Sequence, residues 1–367
     1  MHARFCYRLG SILILTILVF VFQFNASANS PADTSIEEAQ NPIFLPLIAN
    51  LSNQPVIPKL SVNPSSRSDS QNFYTQVYLP SENVDIDWDG SFNNCKAGST
   101  SNAFREAIQL RINYFRGMAG VPSDIKLSDE YNQKAQKAAL MMSVNKSLSH
   151  NPPSNWKCYT ADGDQAAGNS NLALGAYGPE AINLYMHDPG SYNYFVGHRR
   201  WILYPQTKEM GTGDIPYANG YPGANALWVF DDNIFGTRPN TREEFVAWPP
   251  PGYVPYKVVY PRWSFSYPKA DFKSASVSMT SKGKPIDISL QPVINGYGEN
   301  TLVWEIIGQL FDKAPASDTK YSVKISNVKI GGIPRNFTYD VIVYDPSTAN
   351  HSENEEITNY AMSAPLP

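Results

Sequence analysis

The sequence of 367 residues is long enough for two domains with hydrophobic cores, because compact domains usually contain about 100–200 residues. Hydrophobic residues make up 42% of the chain and charged residues 17%, so most of it is expected to fold, and the 29 prolines and 22 tyrosines favour loops, turns and β structure. The formal net charge is −4 and no basic run occurs, which argues against nucleic acid as a partner.

The N-terminus has the pattern of a secretory signal peptide. Arg4 and Arg8 form a basic start, Ile12 to Phe22 is an apolar core, and Ala26-Ser-Ala28 fits a small-residue cleavage site. The apolar core is shorter than the roughly 20 residues that a spanning helix needs. We therefore expect residues 1–28 to be a signal peptide and the mature protein to be extracellular, with an uncleaved membrane anchor as the alternative.

The cysteines are informative once the signal is removed. Cys6 leaves with the signal, and Cys95 and Cys158 remain as an even pair in an exported chain. Export favours a disulfide between them, and two free thiols are the alternative.

Two segments are predicted to lie outside the folded regions. Residues 29–75 are rich in Pro, Asn, Ser and Gln, which is typical of a disordered linker, although residues 43–48 form an apolar hexamer without an assignable role. Residues 347–367, with Glu353-Asn-Glu-Glu356, are expected to form a flexible, solvated tail.

Three helices are predicted in the first half of the chain. The first has apolar residues at helical spacing, with Asn102 as a candidate cap; Ser128 opens the second; and Pro179 lies in the first turn of the third, which ends at Asp188. Residues 226–230 are then expected to form a buried strand. We interpret the glycine pair at 211 and 213 as a tight turn into a strand.

Two histidines lie at the ends of predicted elements. His150 follows the second helix, where Pro152 and Pro153 prevent continuation. His198 lies between Gly197 and two arginines, a context unlike a buried core segment, and the apolar residues that follow are expected to anchor a short helix. We expect both imidazoles to line one cleft.

The periodicity changes to two beyond Pro249-Pro-Pro-Gly252. Alternating apolar positions recur between turn residues, which predicts an all-β sandwich of immunoglobulin-like type over residues 249–346. This region has no histidine before residue 347 and no clustered acids, so we expect a spacer or a binding module.

Several motifs taken together resemble the CAP superfamily, which includes cysteine-rich secretory proteins, antigen 5 and plant pathogenesis-related proteins, and particularly its bacterial extracellular branch. In chain order these motifs are Ile112-Asn-Tyr-Phe-Arg116, Ala138-Ala139, Ser149-His150, Asn171-Leu172-Ala173, Gly197-His-Arg-Arg-Trp-Ile-Leu203, Gly211-Thr-Gly213 and Leu227-Trp-Val-Phe230. The resemblance implies an α-β-α sandwich with a central cleft over residues 76–248. The predicted fold class is therefore α+β, with a CAP-like domain followed by the β sandwich.

The resemblance also implies a cleft in which two histidines and two glutamates often lie, with zinc bound in some members. His150 and His198 match the histidines, whereas the glutamates do not carry over. The stretch Gly168-Asn-Ser-Asn171 contains no acid, and near the second position the sequence offers His187 and Asp188. Asp188 is the candidate third metal ligand, and Gly298-Glu-Asn300, which copies one family motif, is interpreted as a coincidence.

The function expected from these observations is a non-catalytic, extracellular cleft that binds a small-molecule, lipid, glycan or peptide ligand. No cofactor is then required. The alternatives are a metal-assisted hydrolase, peptidase-like, with His150 and His198 as zinc ligands, and a surface-associated structural protein in which the β domain makes the important contact. No serine lies in a nucleophile-elbow pattern, and no HExxH or phosphate-binding glycine motif occurs. The alternative to metal binding is that both histidines hydrogen-bond within the fold.

Overall fold

A computed structural model of the protein describes residues 60–348. The predicted signal peptide, the apolar hexamer at 43–48 and most of the predicted C-terminal tail therefore lie outside the described residues. The helices, in chain order, are α1 (Arg67–Phe73), α2 (Asn102–Ala119), α3 (Asp129–Asn145), α4 (Ala161–Asn169), α5 (Gly178–His187) and α6 (Gly197–Ile202).

The first sheet has four strands in the order β1-β3-β4-β2. Their bounds are β1 (Lys126–Leu127), β2 (Ser170–Leu174), β3 (Glu209–Ile215) and β4 (Ala224–Trp228), and only β1 and β3 are parallel. Its two faces pack against different helices. Leu172 and Ala226 lie in a core with α3 and α4, whereas Ala173 and Leu227 lie in the core with α2 and α5. This arrangement is the predicted α-β-α sandwich.

Gly211 and Gly213 have a different role from the one predicted. They lie within β3 and allow α3 to pack closely on the sheet, because a Cβ added at Gly213 would lie 2.1 Å from the backbone carbon of Ala135. A Cβ at Gly211 would lie 2.3 Å from Cβ of Tyr131. The interpretation of this stretch as a tight turn was therefore wrong.

The remaining strands form two sheets that face each other as a β sandwich. They are β5 (Val246–Trp248), β6 (Gly252–Pro255), β7 (Arg262–Ser266), β8 (Ser276–Ser281), β9 (Lys284–Ile286), β10 (Ile288–Leu290), β11 (Thr301–Ile306), β12 (Thr319–Ile330) and β13 (Ile333–Tyr344). The sheet orders are β10-β11-β7-β5 and β6-β13-β12-β8-β9. Aromatic contacts join them, such as Phe265 with Phe337 at 5.0 Å between ring centroids.

The sandwich includes two features that the immunoglobulin-like prediction lacks. Strand β5 precedes the boundary predicted at residue 249 and pairs with β7, and β6 pairs with β13 in parallel. The α+β class and the two-layer β architecture agree with the prediction from the period-two pattern.

The C-terminal part of the predicted linker is folded. Ser66 caps α1 by accepting a hydrogen bond from the backbone nitrogen of Asp69, and Ser70 donates to the carbonyl of Tyr253 in β6. The next turn buries Tyr74 against Tyr114 of α2. The predicted boundary at residue 75 cut through one aromatic cluster, because only tertiary contacts show that Phe73 and Tyr74 belong to the core.

Smaller differences concern caps and one missed helix. Ser101, not Asn102, caps α2, because its side chain accepts from the nitrogen of Phe104. Helix α4 was not predicted, since its glycines and short length give a weak apolar pattern; Thr160 caps it.

The disulfide prediction is confirmed. Cys95 and Cys158 are bonded, with their Cα atoms 5.1 Å apart, and the bond closes a separation of 63 residues. It joins the segment before α2 to the segment after His150. Within residues 60–348, no helix combines the length and apolarity needed to cross a bilayer.

Candidate functional site

His198 is placed by the end of α5 and the start of α6. Asp188 ends α5 in the left-handed conformation (φ 52°), and its carboxylate is buried, with 1% of the side chain exposed. Oδ1 of Asp188 lies 2.8 Å from Nδ1 of His198, and Oδ2 accepts from the backbone nitrogen of His198 at 3.0 Å. Both carboxylate oxygens are thus engaged in orienting this histidine.

The residue before this helix is in a rare conformation. Val196 is fully buried with φ 48°, in the left-handed region that β-branched residues seldom adopt. Such strain is kept only where the surroundings enforce it, and it is enriched at functional sites.

The two arginines after His198 are buried, contrary to the expectation from their charge. Arg199 donates from Nε to the carbonyl of Met186 at 2.7 Å and from Nη1 to the carbonyl of Arg262 at 2.9 Å. Arg200 donates to the carbonyls of Ile294 at 2.8 Å and Glu299 at 3.0 Å. Burial lowers the pKa of each guanidinium to about 10, so both stay charged at neutral pH. They fix α6 to its neighbours through main-chain oxygens.

The hydrogen bonds define the tautomers of both imidazoles. Nδ1 of His150 lies 2.8 Å from the carbonyl oxygen of Ala167, and because that oxygen only accepts, Nδ1 carries the proton. The carboxylate of Asp188 selects the same tautomer in His198. In each neutral ring Nε2 is then an acceptor, and within the described chain neither Nε2 has a hydrogen-bond partner.

Two cavities meet at these histidines, as predicted from the positions of the histidines at helix ends. One has a volume of about 330 Å³ and the other about 360 Å³, and His150, Asn193 and His198 line both. We call these two cavities together the groove. The first, the aromatic half, is lined by Phe195, Trp201, Phe230 and Tyr297. The second, the aliphatic half, is lined by Leu148, Leu172, Leu174 and Leu184.

A buried polar network supports the groove from below. The ring of Tyr185 stacks on the imidazole of His198 at 5.4 Å, and Asn171 donates to the carbonyl of His198 at 3.1 Å. The hydroxyl of Tyr185 donates toward the Oδ1 atom of Asn225 at 2.9 Å. Burial raises the pKa of Tyr185 well above its usual value, so it remains a neutral donor. The sequence predicted a strand at residues 226–230, next to Asn225, but neither the strand that carries Asn171 nor this network.

His187 is not part of the groove. Its ring stacks on Tyr260 at 5.0 Å and lines a separate, larger groove of about 840 Å³ with Glu82 and Glu180. It is half-buried, and burial lowers its pKa, with Arg199 adding to the effect.

The residues described do not match a tightly held zinc ion. Residues 60–348 contain no cluster of three or more His, Cys, Asp or Glu side chains that could hold a metal. Asp188, the predicted third ligand, uses both oxygens on His198, and Ser170, in the stretch that lacks the expected glutamate, is buried. Two imidazoles and the amide of Asn193 fall short of the three or four strong ligands that zinc sites use.

The acid of the motif Gly298-Glu-Asn300 is not among the residues that line the groove with the two histidines. The carboxylate of Glu299 is bonded to Arg238, and its carbonyl accepts from Arg200. The neighbouring Tyr297, however, lines the aromatic half, a placement that sequence reasoning missed.

The α-β-α sandwich and its histidine-lined groove together define the class of this domain, an α+β domain with a central cleft. Residues 110–231 match the family model described as CAP: Cysteine-rich secretory protein family, so the protein carries a CAP domain. The match begins within α2 and ends just beyond β4, and it includes both groove histidines. No curated protein matches the chain.

Proposed function

We propose that the protein binds a neutral ligand outside the cell, in the groove, without chemically changing it. The proposal rests on one observation. Three acceptors at the centre of the groove, Nε2 of His150, Nε2 of His198 and Oδ1 of Asn193, have no hydrogen-bond partner within residues 60–348. A ligand with hydroxyl or amide donors would satisfy them.

The charges of the lining support a neutral ligand. Within the described chain, Asp188 is the one acidic or basic side chain besides the two histidines that lines the groove, and it is bonded to His198. An anion would find no lysine or arginine there and an ammonium ion no free carboxylate, and unpaired charge in such a site is costly. Small-ligand sites typically have a mostly apolar lining with a few polar groups, and the lining of the groove has this composition.

The extracellular location rests on the sequence and the domain. The predicted signal at residues 1–28 and the disulfide between Cys95 and Cys158 both suit export. No cofactor is required in this proposal, and association with a cell surface is compatible with it.

The test is a thermal-shift screen of the mature protein against lipids, neutral glycans and peptides. Replacing His150 and His198 by Ala should abolish the shift produced by any hit while leaving the free energy of unfolding within about 2 kcal/mol. Replacing the exposed Tyr217, which is 71% exposed and outside the groove, by Ala is the control and should change nothing. Hits that are unaffected by the double substitution would place binding elsewhere.

One observation favours a metal-assisted hydrolase as the second candidate. A carboxylate bonded to Nδ1 of a histidine, as Asp188 is to His198, is a common support for metal-ligating imidazoles. Mass spectrometry of the purified protein decides between the two. Near-stoichiometric zinc that is lost in the double histidine variant would favour the hydrolase over the non-catalytic cleft.

A further inference from the structure

Tyr297 belongs to the β sandwich, outside the matched CAP segment, and its side chain lines the groove. It lies on the loop between β10 and β11, and its ring centroid is 4.7 Å from that of Phe195. Its side chain is half open to solvent, at 38% exposure, so one face can contact a ligand. The sandwich thus contributes a wall to a groove whose other residues lie between Leu148 and Phe230.

Gly197 allows the rings of Phe195 and Tyr297 to pack close to the start of α6. A Cβ added at Gly197 would lie 2.6 Å from Cε2 of Phe195 and 3.3 Å from Cδ1 of Tyr297. Any larger residue immediately before His198 would therefore push both rings away from the start of α6.

The loop that carries Tyr297 is fastened on both sides of the ring. Arg200 donates to the carbonyl of Ile294 before it and to the carbonyl of Glu299 after it, at 2.8 Å and 3.0 Å. The guanidinium of Arg200 also lies 5.8 Å from the centroid of the Tyr297 ring. A ring held in place from its backbone loses little entropy when a ligand stacks on it.

The composition of the aromatic half selects among neutral ligands. Four partly exposed aromatic rings border it, and the three unpaired acceptors lie where it meets the aliphatic half. A pyranose ring presents C–H faces that pack on aromatic rings and hydroxyl donors at its edge, which matches both features. An acyl chain would cover the rings but leave the acceptors unpaired.

We infer that the aromatic half is a subsite for a neutral saccharide ring and that Tyr297 of the β sandwich contributes a stacking contact to its affinity. This inference rests on the proposed ligand-binding function of the groove. It gives the β sandwich a direct part in recognising the ligand.

The test uses the mature chain and two neutral probes, chitotetraose and cellotetraose. Titration followed by calorimetry and by tryptophan fluorescence, to which Trp201 in the aromatic half contributes, should give saturable binding of at least one probe. Tyr297→Ala should raise the Kd about tenfold, from the loss of one stacking contact with its area. Tyr297→Phe, which keeps the ring, should change the Kd less than threefold, and Tyr217→Ala is the matched exposed control.

The outcomes separate this inference from the proposed function. Saccharide binding that depends on both Tyr297 and the two histidines supports both. Saccharide binding that depends on the histidines but is unchanged in Tyr297→Ala overturns the role of Tyr297 alone. If neither saccharide binds while a lipid or peptide binds in a histidine-dependent way, the saccharide subsite is overturned and the ligand-binding groove stands.

Discussion

Asp188 holds His198 by two hydrogen bonds, one to the ring at 2.8 Å and one to the backbone nitrogen at 3.0 Å. A single buried carboxylate therefore links the end of α5 to the start of α6 and sets the tautomer of the groove histidine. Arg262 adds a bond to the carbonyl of Asp188 at 2.9 Å, which ties the same corner to the sandwich.

Replacing Asp188 by Asn should disturb both bonds, because an amide offers one acceptor to two N–H donors. We expect a loss of about 1–3 kcal/mol in the free energy of unfolding, measured by urea denaturation, since one donor is left unpaired. The ¹⁵N shifts of His198 should show a mixture of tautomers. The shifts of His150, which bonds to the carbonyl of Ala167, serve as the internal control and should not change.

His187 should make stability depend on pH. Burial lowers its pKa in the folded state below the ordinary 6.5, so the unfolded chain binds the proton first as pH falls. The contribution of neutral His187 is complete above about pH 6.5 and decreases as the pH falls below that value.

The measurement is the free energy of unfolding between pH 5 and pH 8 for the protein and for His187→Gln. The variant should have a smaller decrease toward acid, and the comparison at pH 8, where the imidazole is neutral in both states, corrects for its altered packing on Tyr260. An unchanged acid slope in the variant would show that other groups set it.

The sequence predicts the elements better than it predicts their contacts. The prolines after His150 and the glycine before His198 indicated that both histidines lie next to helix termini, and the prediction that they line one cleft followed from that. The burial of Arg199 and Arg200 was missed, since their partners are main-chain oxygens up to 99 residues away. Tyr297 was missed for the same reason: its place in the groove depends on how the sandwich packs on α6.

Glycine gives a second example of this limit. Gly211 and Gly213 have the local pattern of a turn, and nothing within the segment shows that α3 lies on top of it. The close approach of Tyr131 and Ala135 is a tertiary constraint, so the same two residues serve an extended strand.

The disulfide should stabilise the fold by constraining the unfolded chain. Joining residues separated by 63 positions predicts a contribution of about 4 kcal/mol in the loop-entropy description. Replacing Cys95 and Cys158 together by Ala should lower the free energy of unfolding by that amount in urea. The wild-type protein in reductant is the matched control and should behave like the variant. Mass mapping without reduction should recover the linked peptides, and alkylation of both thiols without prior reduction would contradict the bond.

The ion pair between Arg238 and Glu299 should matter more than an exposed pair of the same type. The Glu299 carboxylate is buried, with 4% of its side chain exposed, and burial raises its pKa above the ordinary 4.5 while Arg238 opposes that rise. Arg238→Ala leaves the carboxylate without its partner and should cost about 2–4 kcal/mol at pH 7. The exposed pair of Arg335 and Glu244 is the control, and Arg335→Ala should cost less than about 1 kcal/mol.

The pH dependence of Arg238→Ala provides a second readout. With Arg238 gone, the folded state binds the proton of Glu299 more tightly than the unfolded state does, so the variant should regain stability as the pH falls through the raised folded pKa of Glu299. Adding Glu299→Gln should remove that dependence and recover part of the loss at pH 7, because a neutral amide replaces the unpaired carboxylate. Equal losses for Arg238→Ala and Arg335→Ala, with no recovery in acid, would mean that the loop next to Tyr297 does not depend on this ion pair.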